Sequence, residues 1–144
     1  MSGPLGSPAS KGTTFGRRDA TNDPIRLLVV EDEALVALYL SDILEDLSYD
    51  VCGLASSGAE ALDIAAREQP ALALVDIGLH GALDGIQTAE ALRDRHAVAS
   101  LFMSGASDPE TLERARTVTP HGFLHKPYSA DQLKNALEGI LATG

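Results

Sequence analysis

Glu31, Asp32, Asp76, Ser104 and Lys126 are the residues of this sequence whose types could do chemistry together. Each closes a short apolar run. Val30-Glu31-Asp32-Glu33 ends the first, Val75-Asp76 the third, Ser104-Gly105 the fourth and His125-Lys126-Pro127 the fifth. Carboxylates with oxygen-only neighbours suit a hard divalent ion, and Mg²⁺ keeps several of its waters in such a site. Asp76 follows an apolar run directly, so its carboxylate would be held rigidly at a rim. A carboxylate can attack phosphorus and form an aspartyl phosphate. Phosphoryl transfer mostly requires positioning and neutralisation of charge on the equatorial oxygens. A metal would be one clamp, Lys126 a second and the Ser104 hydroxyl a third.

Taken singly, each residue has a plainer reading. Glu31, Asp32 and Glu33 before a helix would favour its dipole as caps. An Asp after a strand forms turns, a Ser-Gly pair is a turn, and a Lys-Pro pair ends a strand. What sets them apart is arrival at one predicted edge from four different strands.

That edge follows from the elements. Arg26–Val30, Leu72–Val75, Ala99–Met103 and Gly122–His125 are strand-length apolar runs, with a weaker fifth at Asp50–Ala55. Between them, Glu33–Leu47, Gly58–Glu68, Gly85–Arg95, Pro109–Val118 and Ala130–Leu141 have helical spacing. Pro109 suits a first helical turn, with Asp108 or Ser107 as cap. Strands apolar at successive positions are covered on both faces. Strict alternation with helices predicts an α/β fold, a doubly wound parallel sheet of five strands flanked by five helices. In such sheets ligands sit beyond the carboxyl ends of the strands, where strand order reverses.

The 144 residues suffice for one domain. Aromatics are 4% and Trp is absent, so the core must be aliphatic. Lys11, Arg17 and Arg18 against Asp19 and Asp23 leave +1 on residues 1–24; with −10 in total, the rest carries −11. So acidic a domain repels phosphate backbones, which argues against nucleic-acid binding. Cys52 is the only cysteine, which excludes an internal disulfide and a thiolate metal cluster. No apolar run approaches membrane-spanning length and no signal core opens the chain, so the cytoplasm is the expected compartment. Residues 1–24, rich in Gly, Ser, Pro and Thr, are expected to be a disordered arm, and 25–144 the domain. Within the arm, Gly3-Pro4-Leu5-Gly6-Ser7 looks like the scar of a vector's protease site.

The sequence resembles the receiver domain of two-component response regulators over about residues 25–142. Leu28-Val29-Val30-Glu31-Asp32-Glu33 resembles that family's first strand and acidic pair. Ala73-Leu74-Val75-Asp76 resembles its third strand and phosphorylated aspartate, and Asp84-Gly85 the opening of its third helix. Phe102-Met103-Ser104-Gly105 resembles its hydroxyl-bearing strand. Gly122-Phe123-Leu124-His125-Lys126-Pro127-Tyr128 resembles its closing segment. The resemblance implies a flavodoxin-like fold with strand order 2-1-3-4-5. It implies that Glu31, Asp32, Asp76 and the backbone carbonyl of Gly78 hold Mg²⁺. Asp76 would take a phosphoryl group from a histidine kinase or a histidine phosphotransfer protein, and Ser104 and Lys126 would bind its oxygens. Ser104 and Phe123 would move as a switch, and downstream protein partners would read the face of helix four, strand five and helix five. The resemblance further implies a cis bond before Pro127, no classical enzyme activity, and a monomer or weak dimer.

The sequence departs from the family pattern in the loop Ile77–Asp84, which lacks the usual proline, looks one residue longer and contains Gly78 and Gly81. Gly78 and Ala106 stand where side chains tune phosphoryl lifetime, and neither can orient a water, so slow self-dephosphorylation is expected. Phe123 replaces a common Tyr. His80, in the loop beside Asp76, is expected to be an exposed loop residue, with contact to phosphate or metal as the alternative; His96 and His121 are expected to be solvated, His125 packed in its strand, and Cys52 buried. The chain ending soon after the last helix suggests a receiver without its own output domain. Other classes fit less well. A haloacid-dehalogenase-type phosphatase needs a second carboxylate where Gly78 stands. P-loop and dinucleotide folds need glycine-rich loops that are absent. A pseudo-receiver would lack one of the five site residues.

Overall fold

The computed structural model describes residues 23–105, 108–118 and 121–143. Most of the expected arm, together with Ala106 and Ser107, lies outside the described residues. Ten elements alternate in the predicted order: β1 (Arg26–Val30), α1 (Ala34–Asp46), β2 (Asp50–Ala55), α2 (Gly58–Glu68), β3 (Leu72–Asp76), α3 (Gly85–His96), β4 (Ala99–Ser104), α4 (Pro109–Thr117), β5 (Gly122–His125) and α5 (Ala130–Thr143). The strands form one parallel sheet in the order β2-β1-β3-β4-β5.

The helix starts follow their local chemistry. Ser57 caps α2 by accepting from the Glu60 N–H at 3.1 Å. Asp84 caps α3 in a reciprocal box: its carboxylate accepts from Gln87 N–H at 2.8 Å, and the Gln87 side chain accepts from Asp84 N–H at 3.0 Å. Asp108 accepts from Thr111 N–H at 3.0 Å ahead of Pro109, so it is the cap of α4. Glu33 precedes α1 with no side-chain cap hydrogen bond, which leaves the acidic run before that helix available for other partners.

Alternate residues of the central strands feed two cores. Leu28, Val30, Ala73, Val75 and Phe102 pack on the face of α2, α3 and α4. Leu27, Val29, Leu72, Leu74, Leu101 and Met103 pack on the face of α1 and α5. Each fully buried Leu contributes about 2 kcal/mol of burial free energy, so the sheet has little freedom to slip. Register then aligns the strand ends. Val30 lies level with Val75, Asp76 with Met103, and Ser104 with His125.

Two expectations fail at the sheet edges. His125 is exposed rather than packed, and its ring lies 5.1 Å from that of Phe123. Cys52 is half-buried rather than buried. β5 and β2 are the edge strands, so neither is enclosed as β1, β3 and β4 are. His96, expected to be solvated, is half-buried, while His121 is exposed.

Candidate functional site

The central pair of strands, β1 and β3, is where the chain turns from building one side of the sheet to building the other. Their carboxyl ends carry the acidic residues. Glu31 is anchored to β2 by its N–H, which donates to the Ala55 carbonyl at 2.9 Å. Its side chain is fully enclosed. One carboxylate oxygen, Oε2, accepts from the Glu33 N–H at 3.1 Å. Among the described residues, the other, Oε1, has no hydrogen-bond donor, and the cation paired with it is Lys126 Nζ at 3.6 Å. Burial pushes the Glu31 carboxyl above the usual range, and the neighbouring Asp76 and Asp32 push it the same way; the Glu33 N–H and Lys126 oppose them.

Asp76 is the last residue of β3 and is 8% exposed. Its Oδ1 accepts from the Gly78 N–H at 3.0 Å and stands 3.3 Å from Lys126 Nζ. Gly85 lets the backbone close in behind it, since a Cβ there would lie 2.2 Å from the Asp76 carbonyl oxygen. Ser104 ends β4 and is buried. The Lys126 N–H donates to the Ser104 carbonyl at 2.8 Å, so the exit of β5 is pinned to the end of β4. The Lys126–Pro127 bond is cis, as expected. Beside Asp76 and Ser104 opens a cleft of about 350 Å³, also lined by Gly78, Asp84, Thr111 and Arg114.

Glu31, Asp32 and Asp76 each offer an oxygen within 4.8 Å of the others. Three carboxylates this close repel one another unless cations or protons intervene. Lys126 supplies one positive charge. The donorless Glu31 Oε1 is a buried acceptor without its hydrogen. An all-oxygen cluster with such an orphan fits a hard divalent cation.

The structure thus brings together all five residues that the sequence singled out. It also adds one that sequence reasoning passed over, Arg114, and gives a partner to one that it named, His80. Arg114 of α4 lines the cleft. His80 is 91% exposed, as expected, yet its ring nitrogen Nδ1 lies 3.0 Å from Asp32 Oδ2. Phe123 is half-buried and meets Phe102 edge-on at 6.3 Å between ring centres.

Residues 27–138 match the family model described as the response regulator receiver domain. The chain belongs to that family. This receiver is 31% identical over 115 residues to the transcriptional regulatory protein PdtaR of Mycobacterium tuberculosis, covering 80% of this chain and 56% of that one. It is 27% identical over 117 residues to the chemotaxis protein CheY of Bacillus subtilis, covering 81% and 97%. Among solved structures, the signal receiver domain of a modulated diguanylate cyclase from Desulfovibrio desulfuricans G20 superposes with a TM-score of 0.78 at 42% identity, covering 82% of this chain and 94% of that one. The chain spans about half the length of PdtaR and 42% of the phyllosphere-induced regulator PhyR of Methylorubrum extorquens. As a receiver it has its place in two-component signalling. Among the described residues, no helix is long and apolar enough to cross a membrane.

Proposed function

We propose that this receiver accepts a phosphoryl group on Asp76 from the phosphohistidine of a kinase or phosphotransfer protein. The observation that carries the reading is the placement of Asp76 Oδ1 3.3 Å from Lys126 Nζ, inside an acidic cluster and beside an open cleft. An Asp76 oxygen attacks phosphorus, the phosphorus–nitrogen bond to the donor histidine breaks, and its electron pair returns to the imidazole. Lys126 balances charge on the phosphoryl oxygens, and the Ser104 hydroxyl donates to one of them. Glu31, Asp32, Asp76 and the Gly78 carbonyl are the groups that would hold Mg²⁺. The bound ion supplies charge neutralisation on the oxygens in transfer. Asp76 is then a phosphoacceptor rather than the centre of a turnover enzyme.

The signal would leave through α4, β5 and α5. A new dianion beside Ser104 draws its hydroxyl inward, and Phe123, half-buried at the edge of the core, follows. Two packings of one face exchange population, and a protein partner reads the result. The excess of acidic residues argues for a protein partner over nucleic acid. A kinase or phosphotransfer donor would also favour a cytoplasmic receiver.

Incubation with Mg²⁺ and acetyl phosphate, followed by intact mass, tests the reading. The expected result is one phosphate-sized gain that Asp76→Asn abolishes. A wild-type chain that gains nothing overturns it in favour of a pure interaction module.

A further inference from the structure

We infer that His80 is a positioning residue for divalent-cation binding, holding Asp32 in the orientation the acidic cluster needs. The inference rests on the proposed cation site and goes beyond it, because His80 belongs to the atypical loop after Asp76 and not to the ligand set.

Asp32 has a steric and electrostatic difficulty. It must present an oxygen within 4.8 Å of oxygens from Glu31 and Asp76, against two like charges. Among the described residues, both hydrogen bonds that the structure gives its carboxylate from outside the acidic cluster come from His80. The backbone N–H donates to Oδ2 at 3.2 Å and ring Nδ1 lies 3.0 Å from the same oxygen. A carboxylate accepts only, so the ring nitrogen facing it carries the hydrogen. Two donors on Oδ2 fix the rotation of the carboxylate, so that it faces a cation in one orientation. Ligating carboxylates are commonly oriented by such outer hydrogen bonds, whose removal weakens metal binding about 10- to 100-fold.

The placement of His80 is set by the loop. Gly81, the next residue, has φ +122, in the region that side chains rarely adopt, and among the described residues nothing lies within 4 Å of where its Cβ would stand. The chain therefore turns sharply just after the histidine, in open space. The ring itself is 91% exposed, so its contact with Asp32, 48 residues away, is not a by-product of core packing. Replacing the ring should leave the fold intact.

Mg²⁺ titration by calorimetry, with thermal shift on the same samples, tests this. His80→Ala is expected to weaken Mg²⁺ binding about tenfold, while its melting temperature without Mg²⁺ falls only slightly, as the loss of one exposed hydrogen bond allows. His80→Asn, whose amide nitrogen can take the place of Nδ1, is expected to recover most of the affinity; a merely structural role would show no such rescue. The inference is overturned if His80→Ala binds Mg²⁺ as tightly as the wild type or tighter, or if both variants lose affinity alike. In those cases the phosphoacceptor reading stands. A wild type that binds no Mg²⁺ overturns both.

Discussion

Arg114 of α4 donates to Asp84 Oδ2 at 3.0 Å, while Asp84 Oδ1 caps α3 by accepting from Gln87 N–H. One carboxylate thus ties two helices together at the cleft that contains Asp76 and Ser104. The pair is half exposed, so its contribution to stability is at most about 1 kcal/mol. Its effect on α4 is local. Arg114→Ala is expected to raise amide hydrogen exchange in α4 while changing global stability by less than about 1 kcal/mol. Unchanged exchange in α4 would show that the tie does not restrain the helix.

Glu31 sets function against stability. Burial holds its carboxyl pKa above the usual range, so the folded state binds this proton more tightly than the unfolded chain. The ionised side chain therefore costs stability in full above the folded pKa, and the cost is relieved as pH falls through that value. Glu31→Gln is expected to stabilise the metal-free protein at pH 7 by about 1 kcal/mol, with a gain that shrinks in acid, and to weaken Mg²⁺ binding. Denaturant melts at pH 7 and pH 4 check the sign. A variant less stable than wild type at pH 7 would contradict it.

Asp32 runs the other way. Its hydrogen bond to the His80 ring, with the His80 N–H, holds its carboxyl below the usual range. Its contribution to stability is present above the ordinary Asp value near 3.9 and is lost as pH falls through the lower folded pKa. Asp32→Asn is expected to flatten the acid limb of the stability curve, measured as melting temperature between pH 5 and pH 2. An identical acid limb would rule this out.

A Cβ added at Gly78 would stand 3.5 Å from Asp76 Oδ1, in ordinary contact. A polar side chain therefore fits there and can direct water at a phosphoryl group. Gly78→Asn is expected to speed phosphoryl loss from Asp76 roughly tenfold, short of the hundredfold or more of a full general base. Decay followed by intact mass measures it. An unchanged rate would remove Gly78 as the cause of a long lifetime.

Gly85 leaves no such room. A Cβ at 2.2 Å from the Asp76 carbonyl oxygen and 2.8 Å from Ile77 Cα meets backbone, not a flexible side chain. Gly85→Ala is expected to cost about 3 kcal/mol, on the order of 10 °C in melting temperature, and to displace the phosphoacceptor. A melting temperature within a degree or two of wild type would show that the α3 N-terminus shifts freely.

The amino-acid sequence by itself determined the elements and which of their ends bear chemistry. Leu28-Val29-Val30 and Leu72-Ala73-Leu74-Val75 read as covered strands because apolar residues at successive positions need cover on both faces. Asp108 read as a cap, with Ser107 as the alternative, because a side-chain oxygen there meets N–H groups two or three residues on. Glu31, Asp32, Asp76, Ser104 and Lys126 followed, since each stands at a strand end. Only the tertiary structure decided which charges meet. His80 reaches Asp32 across 48 residues and Arg114 reaches Asp84 across 30. It likewise decided that Lys126 stands between Glu31 and Asp76, and that the edge-strand residues Cys52 and His125 are not enclosed. Periodicity reports which residues of an element are covered. How loops close and how far a neighbouring element extends depend on packing between segments distant in sequence, and those distances set the contacts.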